Sequence, residues 1–194
     1  MKLAIGITGH PLAGKETAAN RIAERAKMDG RTVSYHRFSD ILRDTLDLWG
    51  MAHGRDPEQK LAQVMELMAE GTLSRAMKHR LAKDPADIGI LDGVRWYSDE
   101  NMIREFPKEG IASLLLYITA DLDTRFTRLV KRGRSGEQMT TREEFERQNQ
   151  QKNEIYISDI GSRADAKILN NYDSLDGLIA AIDAVYDERI KSAL

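Results

Sequence analysis

Residues 9–17 read GHPLAGKET, a glycine followed by four residues and then by the pair Gly-Lys. The segment comes directly after the apolar run LAIGIT at 3–8 and directly before AANRI at 18–22, which has a helix-forming composition. Backbone N–H groups can converge on an anion only where no side chain blocks the approach, as at Gly9 and Gly14. The positive N-terminal end of the helix that follows favours an anion at the same place. The stretch therefore predicts a strand, a polyphosphate-binding turn and a helix, in that order.

The lysine and the hydroxyl residue of this turn decide how closely it matches a known pattern. Lys15 supplies a point charge for a phosphate, and the strict P-loop motif places Ser or Thr directly after this lysine. Here Glu16 intervenes and the hydroxyl arrives at Thr17. The turn resembles the GxPxxGKxT segment of adenylate kinases and related nucleotide kinases, which usually have glycine where this chain has Glu16. The residues that the resemblance assigns to nucleotide binding are Gly9, Ala13, Gly14, Lys15, Glu16 and Thr17.

Glu16 adds a carboxylate beside the expected phosphates, and two roles are open for it. If the side chain only faces the phosphates, its negative charge weakens nucleotide binding, because like charges repel. Alternatively, the carboxylate is part of a magnesium site, since Mg²⁺ takes hard oxygen ligands. Thr17 is the magnesium ligand expected within the turn.

Composition limits the class of protein. The chain has 194 residues, of which 41% are hydrophobic, enough for one substantial core and short for two, so a single domain over 1–194 is expected. Lys and Arg (29) nearly balance Asp and Glu (31), so the net charge of −2 gives no general attraction to nucleic acid or to an anionic membrane. The absence of cysteine excludes disulfides and thiolate metal sites. We expect a cytoplasmic enzyme without a nucleic-acid or membrane partner, since the N-terminus begins with strand residues rather than a signal peptide.

Strand-like segments alternate with helical patterns along the chain. The expected strands are 2–8, 32–38, 88–92, 113–119 and 166–169. Such alternation predicts a five-stranded parallel sheet with helices on both faces, the α/β three-layer fold of P-loop NTPases. Two charged, helical segments exceed that minimal unit, an acceptor-binding insertion over about 40–83 and a lid over about 131–154. Both are expected to lie over the phosphate site, because ligands bind at the carboxyl ends of such strands.

The strand expected at 88–92 ends in a carboxylate, with an arginine three residues later. Asp92 is expected near the metal of a bound nucleotide, where one carboxylate acting through water suffices to hold Mg²⁺. The segment DGVR at 92–95 resembles the DG(F/Y)PR of adenylate kinases and the DGxR of dephospho-CoA kinase-like P-loop proteins of archaea. In adenylate kinases this arginine holds the acceptor phosphate, so the resemblance gives Arg95 that role. A guanidinium suits it, because it makes paired hydrogen bonds to a phosphate.

The segment FSDILR at 38–43 follows the second expected strand. It is similar to the (T/S)GDxLR acceptor motif of nucleoside monophosphate kinases, which makes Asp40 and Arg43 candidate acceptor-binding residues. If the acceptor is a hydroxyl, Asp40 serves as the catalytic base, whereas an ionised phosphate needs only positioning. Capping of the helix that begins nearby explains Asp40 equally well, because its carboxylate accepts from free backbone N–H groups.

Arginines are concentrated at the end of the helix that is expected to precede the lid. In P-loop kinases the arginines of this segment close over the polyphosphate and stabilise the phosphoryl group in transfer, and the spacing in this chain is similar. Arg132 is favoured as the catalytic arginine, and Arg128 is expected to contact the nucleotide. Arg134 and Arg147 are weaker candidates.

The motifs together suggest one leading function and one alternative. ADAKILN at 164–170 is similar to a strand start in the dephospho-CoA kinase-like group, so the resemblance covers most of the chain. It implies a kinase that uses ATP and Mg²⁺, with dephospho-CoA or a nucleoside or deoxynucleoside monophosphate as its small-molecule phosphate acceptor. The alternative is an NTP-hydrolysing regulatory ATPase without such an acceptor, which leaves Arg95 and Arg132 unexplained. The four histidines show no metal-ligand spacing and are given no catalytic role.

Overall fold

A computed structural model of the protein describes residues 1–133, 141–149 and 155–194. Its centre is a five-stranded sheet in which every neighbouring pair of strands is parallel. The strands are β1 Leu3–Thr8, β2 Val33–Arg37, β3 Ile88–Val94, β4 Ala112–Thr119 and β5 Ala166–Leu169, in the spatial order β2-β3-β1-β4-β5. The predicted α/β fold, a parallel sheet with helices on both faces, is confirmed.

Helices connect the strands and cover the sheet. The α-helices of the described residues are α1 Lys15–Met28, α2 Phe38–Leu48, α3 Arg55–Met68, α4 Thr72–Leu81, α5 Tyr97–Glu105, α6 Leu122–Arg132, α7 Arg142–Asn149, α8 Ile157–Ser162 and α9 Leu175–Val185. Short 3₁₀ turns at Phe106–Glu109 and Lys191–Ala193 and a π turn at Tyr186–Ile190 complete them. Among the described residues, no helix combines the length and apolarity that a bilayer crossing requires.

The central strand β1 explains why the core has two halves. All six of its residues are buried, as expected for a parallel strand that is covered on both faces. Alternate side chains point to opposite faces, so Ile5 joins the core half that contains Ile22 of α1 and Ile182 of α9. Ala4 joins the other half, with Ile103 of α5 and residues of α2 and α4.

Strand β3 is longer than the sequence pattern indicates. It continues two residues beyond Asp92, through Gly93 to Val94, because Val94 still pairs with Thr8 of β1 after a shift in register. The Thr8 hydroxyl donates to the Val94 carbonyl at 2.8 Å and fixes this extension. Asp92 therefore lies just before the end of its strand, and Arg95 directly follows that end.

The two predicted insertions differ in how much of them the structure describes. The acceptor-binding insertion is helical, and its helices α2, α3 and α4 pack on one another. In the predicted lid, α7 packs on α6, where the rings of Phe126 and Phe145 lie 5.7 Å apart. Residues 134–140 and 150–154, and Arg134 with them, lie outside the described residues.

Candidate active site

A cleft of about 810 Å³ opens at the carboxyl ends of the central strands. This is the edge at which parallel α/β sheets bind ligands. The predicted site residues that line the cleft are Gly14, Lys15, Glu16, Thr17, Arg43, Asp92, Arg95, Arg128 and Arg132. Gly9 and Ala13 lie in the loop beneath it, and both are buried. Asp40 is absent from the wall of this cleft, although Ser39 and Arg43 on either side of it contribute.

The loop over residues 9–17 has the shape that an anion-binding turn requires. A Cβ atom at Gly9 would lie 2.1 Å from the Ile118 carbonyl oxygen, so no side chain fits there. Gly14 begins α1 with a φ of 106°, a conformation that glycine adopts without strain. The Lys15 ammonium donates to the Gly9 carbonyl at 2.7 Å and to the His10 carbonyl at 3.2 Å. The loop thus curls around the lysine and holds its charge at the start of α1.

Asn170, which follows β5, and Arg128 of α6 hold the same loop by hydrogen bonds. The Asn170 side-chain amide donates to the Ala13 carbonyl at 2.8 Å in a buried contact. Arg128 donates to the Leu12 carbonyl at 3.2 Å and to the Asn170 carbonyl at 3.0 Å. Arg128, expected to contact a nucleotide, therefore braces the loop while it lines the cleft. Sequence analysis treated Asn170 only as the end of a strand motif, because nothing local indicates a contact across 157 positions.

The loop lies in a positive electrostatic field. Burial, and then the nearby cations of Arg125, Lys15 and Arg95, lower the pKa of the His10 imidazole to about 4. His10 is therefore neutral at neutral pH, and the groups that keep it neutral are those that would attract a polyphosphate.

Asp92 meets the requirement for a metal-binding carboxylate. Its Oδ2 accepts from the Tyr35 hydroxyl at 2.6 Å. Its Oδ1 is buried and has no hydrogen-bond partner among the residues that the structure describes. A buried carboxylate oxygen without a partner is costly, and a cation or its hydration water would satisfy it. Within the described ranges no group of three or more His, Cys, Asp or Glu side chains is arranged to hold a metal ion.

Glu16 is paired with an arginine that sequence analysis did not select. The Arg37 guanidinium donates to Glu16 Oε1 at 2.8 Å and, through Nε, to the Tyr35 hydroxyl at 3.1 Å. Burial and the neighbouring Asp92 carboxylate raise the pKa of the Tyr35 hydroxyl, which stays protonated and donates to Asp92. The charge of Glu16 is therefore balanced within the protein. Arg37 ends β2 one strand away from Asp92, a proximity that only the sheet order creates.

The two residues taken from the acceptor motif have partners of their own. Asp40 Oδ2 accepts from the backbone N–H of Arg37 at 3.3 Å, and Oδ1 accepts from Arg43 at 3.4 Å. The contact with the Arg37 N–H is that of a helix cap, and Asp40 is not among the residues that line the cleft; its role as a catalytic base stays a prediction. Arg43 donates to both carboxylate oxygens of Glu58, at 3.0 and 3.4 Å, so this guanidinium is committed to an ion pair.

The turn that carries Arg95 is fixed by a buried aspartate. Asp99 is 1% exposed and accepts from the backbone N–H groups of Arg95 and Trp96 at 3.0 and 3.1 Å. The Ser74 hydroxyl donates to its other oxygen at 2.6 Å. Burial raises the pKa of the Asp99 carboxyl to about 6. Asp99 was not selected from the sequence. The signal that could have indicated it is its position three residues after Trp96, which is typical of a carboxylate that caps a helix start.

The arginines of the lid segment separate into different environments. Arg132, the last residue of α6, is exposed and lines the cleft. Arg125 is buried and donates to the Ala120 carbonyl at 3.1 Å. Arg147 on α7 is 77% exposed, pairs with Glu144 at 3.7 Å and is not part of the cleft wall. The preference for Arg132 over Arg147 is therefore consistent with its place in the cleft.

Known proteins resemble this chain in sequence and in fold. A family model described as an AAA domain matches residues 5–152. A UPF0200 protein of Pyrobaculum aerophilum is 27% identical over 183 residues, which cover 93% of this chain and 95% of that protein. The fold is similar to that of a shikimate kinase from Bacteroides thetaiotaomicron, with a TM-score of 0.62 and 14% identity over 95% of this chain and 97% of the other. An uncharacterized protein from Eubacterium ventriosum aligns with a TM-score of 0.54 and 14% identity over 97% of this chain and 100% of that one.

The structural matches establish the fold, and the family match covers the loop, most of the sheet and the cleft residues as far as Arg132, but not those at 170–178. Similarity to adenylate kinases or dephospho-CoA kinases in particular stays a prediction. A strand, a glycine-rich turn curled around Lys15 and a helix start together form a P-loop. The chain therefore belongs to the AAA-domain family of P-loop NTPases.

Proposed function

We propose that the protein transfers the terminal phosphoryl group of ATP to a small phosphorylated metabolite. One observation carries this proposal: Lys15 and Arg95 line a single cleft, and Asp92, on the strand that precedes Arg95, lines it as well. A P-loop that only hydrolyses a nucleotide uses its cations to stabilise the transferred phosphates and has no charged acceptor to bind. A second cationic group in the same cleft suits an acceptor that carries its own negative charge.

Asp92 and Thr17 are the residues that would hold Mg²⁺, since both line the cleft and both carry oxygen ligands. When bound, the ion neutralises charge on the phosphates and orients them. The orphaned Oδ1 of Asp92 is the observation that supports this assignment.

The protein's own groups would act by position and by charge. The loop N–H groups and Lys15 hold the polyphosphate, because they converge at the positive start of α1. Arg132, which lines the same cleft, would stabilise the negative charge of the phosphoryl group in transfer. Arg95 orients the acceptor through paired hydrogen bonds. Such positioning is the main source of catalysis in phosphoryl transfer.

The acceptor class follows from the sequence resemblance and from the cleft. Dephospho-CoA and nucleoside or deoxynucleoside monophosphates carry a phosphate that Arg95 can bind. The contacts of Asp40 suit a helix cap, which favours a nucleoside or deoxynucleoside monophosphate, whose attacking phosphate oxygen is already ionised, over dephospho-CoA, whose attacking group is a hydroxyl. The likeness in fold to a shikimate kinase adds shikimate, a hydroxyl acceptor, as a contrasting candidate for the same assay.

An ATP-consumption assay over separate acceptors tests the proposal. ADP formation is measured with AMP, dAMP, dephospho-CoA or shikimate and without any acceptor, and the phosphorylated product is identified by mass spectrometry. The Lys15→Ala variant, purified in parallel, controls for contaminating kinases. We expect one of the phosphorylated acceptors to raise the rate by at least about 10-fold over the acceptor-free rate, because hydrolysis is suppressed in a closed site. Equal rates with and without acceptors would support the regulatory ATPase instead.

A further inference from the structure

A chain of four polar side chains connects the P-loop with Asp92. Glu16 of the loop accepts from Arg37, whose Nε donates to the Tyr35 hydroxyl, and Tyr35 donates to Asp92 Oδ2. Tyr35 and Arg37 are two residues apart on β2, so their side chains share one face of the sheet. Arg37 is also paired in register with Asp92 on β3. The strand geometry therefore brings these groups together without any loop between them.

This series of hydrogen bonds engages one oxygen of Asp92 and leaves the other without a partner among the described residues. Oδ2 receives the Tyr35 hydroxyl at 2.6 Å, while the Arg37 Nε lies 3.9 Å away from it. Oδ1 has no hydrogen-bond partner in the described part of the chain. A carboxylate that is held by one oxygen cannot rotate freely, so the direction of Oδ1 is fixed in advance. Residues that orient a metal-binding carboxylate in this way strongly affect metal affinity.

We propose that Tyr35 is the positioning residue for Asp92, and that Glu16 influences the nucleotide–metal site through Arg37 and Tyr35 rather than as a metal ligand. The proposal rests on the proposed function in one respect, that Asp92 serves the metal of a bound nucleotide.

The charges of Glu16, Arg37 and Asp92 explain how Glu16 influences Asp92 through Arg37. Arg37 lies between two carboxylates, Glu16 at 2.8 Å and Asp92 at 3.9 Å. With Glu16 present, the guanidinium is held on the loop side, and Asp92 keeps its negative charge available for a cation. Without the Glu16 charge, Arg37 pairs with Asp92, and a cation at Asp92 then has to compete with a guanidinium. Removal of a negative charge from the P-loop should therefore weaken, not strengthen, metal-dependent binding.

Binding of ADP measured by calorimetry, with and without MgCl₂, tests the proposal without any acceptor. The quantity compared is the dissociation constant of ADP without MgCl₂ divided by the constant with MgCl₂. This ratio isolates the metal-dependent part of binding. We expect Tyr35→Phe to reduce this ratio by about 10-fold, with ADP binding in the absence of Mg²⁺ unchanged. Asp92→Asn is the reference variant, because it shows how far the ratio falls when the carboxylate itself is removed. Tyr97→Phe is the matched control, since its hydroxyl donates to Asp159 at 2.9 Å outside the cleft wall, and it should leave the ratio unchanged.

Glu16→Gln distinguishes the roles that are open for Glu16. The proposal expects a reduced ratio for this variant and no further reduction when it is combined with Tyr35→Phe, because both act through one chain. If Glu16 is a metal ligand, Glu16→Gln reduces the ratio by the same factor in the Tyr35→Phe background as it does alone. Simple repulsion of phosphates gives tighter ADP binding with and without Mg²⁺. Either of these two results overturns the proposal.

The outcomes also separate this inference from the proposed function. An unchanged ratio in Tyr35→Phe, with a reduced ratio in Asp92→Asn, overturns the positioning role and leaves the metal assignment intact. An unchanged ratio in Asp92→Asn removes the metal assignment and this inference with it. Thermal unfolding of each variant checks folding. If Tyr35→Phe does not fold, Glu16→Gln, which alters an exposed side chain, must by itself reduce the ratio for the proposal to stand.

Discussion

The two sides of the cleft are built by different means. On the donor side, residues 9–17 form the binding surface from one continuous segment, and Lys15 donates to the backbone carbonyls of Gly9 and His10. On the acceptor side, the arginines come from separate elements, and two of them are engaged by carboxylates: Arg43 by Glu58, and Arg37 by Glu16. A local turn thus fixes the first side, and long-range ion pairs fix the second.

This difference decides how well charge indicates function on each side. A lysine inside a glycine-rich turn at a helix start is placed to bind an anion, because it donates to backbone carbonyls of the turn beside the positive end of the helix. An arginine near a strand end binds a ligand or a neighbouring acid, and the motif that contains it does not distinguish the two. Mutations on the donor side should therefore affect activity, whereas some on the acceptor side should affect stability first.

The largest effect is expected at the donor side. Lys15→Ala should lower phosphoryl transfer by at least about 10³-fold, because the charge on the transferred group loses its fixed partner. The unfolding temperature should change little, since the side chain contacts loop carbonyls and solvent rather than the core. Initial rates of ADP formation and a thermal melt measure the two effects. Near-normal turnover with unchanged ATP affinity would show that this turn does not hold the transferred phosphates.

A somewhat smaller loss is expected at the lid side of the cleft. Arg132→Ala should reduce kcat by about 10²–10³-fold with little change in either Michaelis constant, if the guanidinium acts mainly on charge that develops in the transition state. Arg147→Ala is the matched control, because Arg147 is 77% exposed and lies outside the cleft wall. Similar kinetics for the two variants would remove Arg132 from the site.

The ion pair of Arg43 and Glu58 tests the acceptor side. Each single substitution to alanine should lower the free energy of unfolding by about 1 kcal/mol, and the double variant should lose less than the sum, because the two side chains form one pair. Urea denaturation measures all three variants. Additive losses, together with a raised Michaelis constant for the acceptor in Arg43→Ala, would assign Arg43 to the acceptor instead.

The smallest effect is expected at Asp40. Asp40→Asn keeps an oxygen that can accept from the Arg37 backbone, so stability should fall by less than about 1 kcal/mol and turnover by only a few-fold. Steady-state kinetics with the acceptor found in the ATP-consumption assay provide the measurement. A loss of about 10²-fold would be the signature of a general base and would restore Asp40 to the catalytic machinery.

Much of the fold and part of the site could be predicted from sequence because their signals are local. Alternating strands and helices predict the parallel sheet, and the segment 9–17 predicts the P-loop with its lysine. Arg95 and Asp92 could be selected because they follow one strand in a recognisable order. The partners of the other predicted residues are not visible in a local pattern: Asp40 accepts from the Arg37 N–H, and Arg43 pairs with a residue of α3.

The P-loop, the order of the strands along the chain and the candidate cations can be recognised in the sequence, since each depends on spacings of a few residues. The folded protein was needed to find which of those cations face carboxylates and which group pairs with Glu16. Asn170 supports the loop from 157 positions away, and Arg37 meets Asp92 because β2 and β3 are neighbours in the sheet. The physical reason is that a charge near a binding site acquires its role from the groups around it, and the folding of distant segments supplies those groups.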